Sequence, residues 1–330
     1  MLVKLAGQPN SRPKKPTPAK LRRMDELATP GGTLSILAVD HRSSLRELFD
    51  QRGAEPSDAA ISDLKDDVCR ILGPAVSAIL LDSATAERCS ADGTLPPGTA
   101  LICPLESDTP AVSDGVRYAS FDADFGPADA RRLGAVAVKL LFHYRADIRE
   151  SVDHHVGLVN EAAERCAAVA EELVLIIEPV PYRLDSEDAG EYESRRPELI
   201  VAMVETLAAC DVGIFKVPFP GGPDAPAHCA RIDRAVGARP WVLLGGARPV
   251  SEFARDLGVA LTEGAYGFIV GRSIWADAVG MAPTERRAFL ETRASEALAH
   301  ITAQTASAGV SWRARLGCAR TASRTTNYAT

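Results

Sequence analysis

Eight short apolar runs recur along the chain, and each ends in, or carries, a polar or glycine residue of a kind that does chemistry. They cover residues 34–39 before Asp40, 76–81 before Asp82, 100–105 before Glu106, and 135–141 around Lys139. The remaining four cover 173–177 before Glu178, 213–219 around Lys216, 241–244 before Gly245 and Gly246, and 267–270 before Gly271 and Arg272. Between them lie segments with apolar residues at helical spacing: 61–72, 152–170, 196–208, 223–236 and 250–261, with a last amphipathic helix over 284–305. Fully apolar strands alternating with helices predict a parallel sheet buried on both faces. Eight such strands close naturally into a (β/α)8 TIM barrel, which removes both sheet edges. The competing doubly wound sheet expects a glycine-rich nucleotide loop after an early strand. The chain contains neither G-x-G-x-x-G nor a P-loop.

The pattern weakens over 83–134, where Pro/Gly clusters at 95–98 and 125–127 predict long loops over the barrel mouth. Residues 1–20 are rich in Lys and Pro and are expected to form a disordered arm. A single barrel domain is expected over 21–305, opening with an amphipathic stretch at 21–28. Residues 306–330, polar and Arg-rich, are expected to be a loose tail.

Composition adds exclusions. A net charge of −7 argues against a general nucleic-acid surface, which needs a basic footprint. No apolar stretch reaches the ~18 residues of a membrane span, and the start lacks a signal-peptide pattern. The seven scattered cysteines form no C-x-x-C pair and are expected to pack as small apolar groups. A cytoplasmic protein without nucleic-acid or membrane partners follows, with homo-oligomers permitted by the apolar strips on the terminal helices. His154 and His155 lack a spaced carboxylate or cysteine and are read as a solvated helix face, not a metal site; no metal ligand set is expected.

Lysine is nearly excluded from buried strands unless it is paired or working. In a closed barrel Lys139, Glu178 and Lys216 come from three neighbouring strand ends and meet at one mouth. A lysine amine attacks a carbonyl only when neutral, a form favoured by burial and by a second ammonium nearby. Glu178, between the two lysines, can shuttle protons. The competing explanation is a buried salt bridge. Glycines after the seventh and eighth runs (Gly245, Gly246, Gly271) let backbone N–H groups approach an anion, and Arg272 offers a bidentate partner. Asp40 could orient substrate hydroxyls or the reactive lysine, or merely cap the next helix. His41 and Arg42 could read the substrate's far end. No catalytic role is expected for Asp82 or Glu106.

These residues resemble the class I (Schiff-base) aldolases of the tagatose 1,6-bisphosphate aldolase family, which includes sulfofructose 1-phosphate aldolase. The similar stretches are 34–42, 137–141, 176–180, 215–220, 240–244 and 264–275, in collinear order from about residue 30 to about 300. The resemblance implies a barrel that cleaves ketose phosphates reversibly without metal or other cofactor, yielding dihydroxyacetone phosphate and an aldehyde. It implies Lys216 as the imine-forming lysine, Glu178 as acid/base, Lys139 as electrostatic partner, Asp40 in substrate orientation, and Gly271 with Arg272 in phosphate binding. The expected partner is a small phosphorylated or sulfonated sugar. The chain departs from the family at His41 (usually Gln), Pro218 (usually Glu) and Gly245-Gly246-Ala247 (usually a Ser-Gly pair). A divergent member is therefore expected. Two other readings of the same pocket are a phosphosugar isomerase or epimerase with Glu178 as enolising base, and a sugar-phosphate sensor without turnover.

Overall fold

Side-chain alternation along the strands decides what each buries. The computed structural model describes residues 15–170 and 172–315. Its strands are β1 (Leu34–Val39), β2 (Ala78–Leu81), β3 (Ala100–Pro104), β4 (Ala111–Ser113), β5 (Val116–Tyr118), β6 (Ala137–His143), β7 (Val174–Val180), β8 (Ile214–Val217), β9 (Trp241–Leu244) and β10 (Gly267–Val270). Eight close into a parallel barrel in the order β1-β10-β9-β8-β7-β6-β3-β2, as the eight apolar runs predict.

Two apolar clusters reflect the alternation. Ile36, Ala38, Leu80, Ile102, Ala137, Ile176, Ile214 and Val242 fill the barrel interior. Their neighbours in sequence, among them Leu37, Cys103, Val138, Ile177, Phe215 and Leu243, face the surrounding helices. The six described cysteines are free and buried, in keeping with apolar packing. Met24, Leu27 and Trp312 join the interior cluster and plug the bottom of the barrel.

The helix carrying Met24 and Leu27 starts at Pro18, where Thr17 caps it by accepting from Lys20 N at 3.1 Å. It therefore begins inside the segment expected to be an arm. At the other end the last long helix runs to Ala308, and a further turn over Trp312–Arg315 is tied by an ion pair from Arg315 to Asp233. These residues are docked, not loose, because Trp312 has apolar surface to bury. The rest of the expected arm and tail, 1–14 and 316–330, lies outside the described residues. No described helix is long and apolar enough to cross a membrane.

The stretch 83–134 holds more structure than loops. Besides β3 it forms helices over Ser83–Ala91 and Pro127–Arg132, and β4 and β5 pair as an antiparallel hairpin. Its turn is Asp114-Gly115, with φ of 51° and 77°. That is the left-handed pair a two-residue hairpin requires. Tyr182 pins the hairpin, its hydroxyl accepting from Arg117 N at 3.1 Å and donating to Gly115 O at 3.2 Å.

The two histidines also depart from expectation. His155 is fully buried and stacked on Phe142, and donates from Nδ1 to Ser151 O at 2.8 Å. His154 donates to Ala119 O at 2.7 Å, just beyond the hairpin. The face they occupy is covered by the hairpin, which the apolar periodicity of the helix alone does not register.

Candidate active site

Continuing the inward parity of each strand brings five ionisable side chains to one place. On β1 the inward series Ile36, Ala38 leads to Asp40, and on β3 Ile102 and Pro104 lead to Glu106. On β6 it passes from Ala137 to Lys139, on β7 from Ile176 to Glu178, and on β8 from Ile214 to Lys216. All five line a mouth cavity of about 740 Å³. Lys139, Glu178 and Lys216 are 2%, 4% and 4% exposed, so their charges are strongly felt by one another.

Lys216 Nζ lies 2.8 Å from Glu178 Oε2, and Lys139 Nζ lies 3.8 Å from the same oxygen. That oxygen is buried and accepts no aligned hydrogen bond, although two ammonium groups stand within 4 Å. It is the carboxylate oxygen through which Lys216 and Glu178 can exchange a proton. Lys139 is further held by Asp40 Oδ2 at 2.8 Å and by Glu106 Oε1. Burial works against its charge, but Asp40, Glu106 and Glu178 outweigh it and raise its pKa well above the ordinary lysine value. Lys139 is therefore a permanent ammonium. Asp40 is shifted the other way: desolvation would raise it, but the Lys139 ammonium foremost, with Lys216, holds it well below the usual carboxylate range.

Glu106 was not anticipated. Its carboxylate bonds Lys139 and also accepts from Leu141 N at 3.0 Å, linking β3 to β6. The parity of Ile102 and Pro104 was the signal for it. Asp82, by contrast, pairs with buried Lys65 at 2.5 Å and caps the helix Ser83–Ala91 through Thr85 N, a structural role.

His41 is neutral, with burial foremost in pushing it down to about 3 and Arg272, Lys216 and Lys139 adding to that. Its ring meets Trp275 edge-on at 5.3 Å, and Nδ1 is buried without a hydrogen-bond partner. Arg42 is engaged locally: Nη2 donates to Glu106 O at 2.8 Å, and the guanidinium pairs with Asp108 at 3.3 Å and Asp122 at 3.4 Å.

Gly245, Gly246, Gly271 and Arg272 line the same cavity. Gly271 packs so close to β1 that a Cβ there would sit 2.6 Å from Ala38 O and 3.0 Å from His41 Cε1. Gly246 and Ala247 both have positive φ, 67° and 57°. A left-handed alanine is uncommon and marks a backbone held in a particular shape. Ser273 Oγ donates to Gly245 O at 3.4 Å, joining the two loops. The Arg272 side chain makes no hydrogen bond or ion pair among the described residues.

The model of the DeoC/LacD family aldolases matches residues 34–277. A tagatose 1,6-diphosphate aldolase from Enterococcus faecalis is 26% identical over 327 residues, covering 91% of this chain and 97% of that protein. Among solved structures, the fructose-bisphosphate aldolase of Plasmodium falciparum superposes with a TM-score of 0.69 at 15% identity, over 92% of this chain and 99% of that one. A Schiff-base-forming fructose-1,6-bisphosphate aldolase superposes with a TM-score of 0.54 at 16% identity, over 84% and 99% of the two chains.

Proposed function

The chain belongs to the DeoC/LacD family of aldolases, which are carbon–carbon lyases, and within that family we propose that it is a metal-independent class I aldolase acting on a phosphorylated ketose. The observation that carries this is Lys216 Nζ at 2.8 Å from Glu178 Oε2, with Lys139 held as an ammonium beside it. The tagatose and fructose bisphosphate aldolases to which the chain is similar support the substrate class, and the Schiff-base-forming neighbour supports the chemistry.

Lys216 passes a proton to Glu178 and attacks the C2 carbonyl as a free amine. Glu178 returns a proton to the resulting hydroxyl, water leaves, and a protonated imine forms. The imine then draws the C3–C4 bonding pair toward nitrogen as the C4 hydroxyl loses its proton, releasing an aldehyde and leaving an enamine. Protonation at C3 and hydrolysis free dihydroxyacetone phosphate and restore Lys216. Lys139 cannot compete as nucleophile, because three carboxylates keep it charged. Its charge in turn keeps Asp40 ionised to orient substrate hydroxyls, while Glu178, in contact with Lys216, accepts the first proton. The backbone at Gly245–Gly246 and Gly271, with unpaired Arg272, holds the C1 phosphate. A water-filled cytoplasmic compartment suits such a sugar phosphate.

A coupled assay in EDTA, following dihydroxyacetone phosphate released from ketose 1-phosphates and bisphosphates, tests this. The expected result is metal-independent release by the native chain and none by Lys216→Met. Release by Lys216→Met at the native rate would refute the role of Lys216.

A further inference from the structure

Away from the barrel mouth, two thiols on adjacent helices face each other. Cys69 lies on the helix Asp58–Leu72 and Cys89 near the end of the helix Ser83–Ala91, and both are buried in the apolar shell around the barrel. Ion pairs beside the thiols fix how these helices cross. Lys65, one turn before Cys69, pairs with Asp82 at the start of the second helix, and Asp66 pairs with Arg88, next to Cys89, at 3.2 Å. The Cys69 thiol donates a hydrogen bond to the Cys89 sulfur, and the Thr94 hydroxyl, from the following loop, bonds the same sulfur. These bonds, that from Cys69 foremost, bring the Cys89 thiol down to about 7, with Arg88 assisting and burial and Asp66 opposing. The remaining described thiols go the other way. Burial pushes Cys103, Cys166 and Cys229 up to about 12 and Cys210 up to about 11. The chain just beyond Cys89 is on the surface: residues 90–93 are exposed, and Gly93 turns with φ of 64°. Unwinding of this last turn, the part of a helix that frays most readily, opens Cys89 to a small solute.

We propose that Cys69 and Cys89 form a reversible redox pair, which hydrogen peroxide or an alkyl hydroperoxide oxidises to an intramolecular disulfide. Cys89 is the attacking sulfur, because the thiolate is the nucleophile and the hydrogen bonds it receives favour that form. Its sulfur takes the nearer peroxide oxygen, the O–O bond breaks, and the departing hydroxide picks up the proton released by the thiol to leave as water. The product is a sulfenic acid on Cys89. Cys69 then attacks the Cys89 sulfur, the S–O bond breaks, and the hydroxyl leaves as water with the Cys69 proton. The two thiols lose two electrons and the peroxide gains them. A dithiol reductant restores both thiols by exchange. An S–S bond of ~2.05 Å asks only for a small approach of two sulfurs that already share a hydrogen bond. The bond would close a loop containing β2 and lock the second helix to the first. Neither cysteine lines the mouth cavity, so the pair does not depend on the imine chemistry.

The test treats the reduced native chain with hydrogen peroxide, alkylates the remaining thiols in denaturant, and maps peptides without reduction. The expected product is a peptide cross-linked from Cys69 to Cys89 and released by dithiothreitol, with Cys103, Cys166, Cys210 and Cys229 alkylated. The rate of cross-linking should rise about tenfold from pH 6 to pH 8, following the thiolate fraction of a group that titrates near 7. Thr94→Val, which removes one hydrogen bond to the Cys89 sulfur, should move that profile to higher pH while the cross-link still forms. In Cys69→Ala, which has no resolving thiol, Cys89 should be caught by dimedone as the sulfenic acid. Prior oxidation of any of the four other thiols, absence of the cross-link at excess peroxide, or a rate flat between pH 6 and pH 8 would overturn the proposal and leave the two cysteines as apolar packing.

Discussion

Replacing Lys139 by methionine should expose how much of the site is held by one charge. Lys139 is the cation shared by Asp40, Glu106 and Glu178. Without it three carboxylates face one another in a buried space, with Lys216 close to Glu178 alone. Breaking a buried ion pair by removing one partner costs about 3–5 kcal/mol. For a chain of 330 residues that corresponds to a fall in Tm of roughly 4–7 °C at pH 8. The pH dependence has a definite sign. In the native chain Asp40 is held below its ordinary value, so its stabilisation is complete above the unfolded value near 4 and is lost only as pH falls below it. In the variant, mutual repulsion raises the carboxylates above their unfolded values, so the folded state takes up protons first and gains relative stability as pH falls. The gap in Tm should therefore narrow between pH 8 and pH 5, as measured by calorimetry on both proteins. A gap that is absent, or equal at the two pH values, would refute the claim that Lys139 balances this cluster.

Glu106→Gln keeps the acceptor for Leu141 N but removes one negative charge from Lys139. It should lower kcat by about 10- to 100-fold with little change in KM, a split expected of a group acting through another; an unchanged kcat would make Glu106 a structural link only. Gly271→Ala places a methyl 2.6 Å from Ala38 O and should raise KM for a phosphorylated ketose roughly tenfold, with a smaller effect on kcat. Native binding of the phosphate by this variant would detach the β10 loop from the phosphate site. Burial pushes His41, His143 and His155 down to about 3, 4 and 4. Each folded value lies below the unfolded one, so the unfolded state binds more protons and stability should fall as pH drops from about 6.5 to 4, by up to about 1.4 kcal/mol per pH unit for each group. Urea melts at pH 7.5, 6 and 5 check this, and a flat profile would mean that these rings are charged in the folded state.

The barrel was legible because fully apolar strands are short, bounded and repeated eight times, and that pattern has few other folded solutions. Lys139 and Lys216 stood out because lysine is costly in such runs. Glu106 did not, since a carboxylate after a strand is as well suited to capping a helix, which is what Asp82 does. Only the inward parity shared with Ile102 separates the two uses. The β4–β5 hairpin escaped because three-residue strands leave almost no periodic signal; its Asp114-Gly115 turn was the available clue. His155 was misjudged for a related reason, its burial being set by what packs on the helix from that hairpin and from Phe142. The state of Arg42 depends on which carboxylates come within reach, a property of loop geometry that no local pattern encodes.

The most direct measurement is intact-protein mass spectrometry after incubation with dihydroxyacetone phosphate and sodium borohydride, followed by peptide mapping. A single reduced adduct on Lys216, absent without the phosphate, is the expected result. An adduct on Lys139, or none on either lysine, would contradict the assignment of Lys216 as the imine-forming residue.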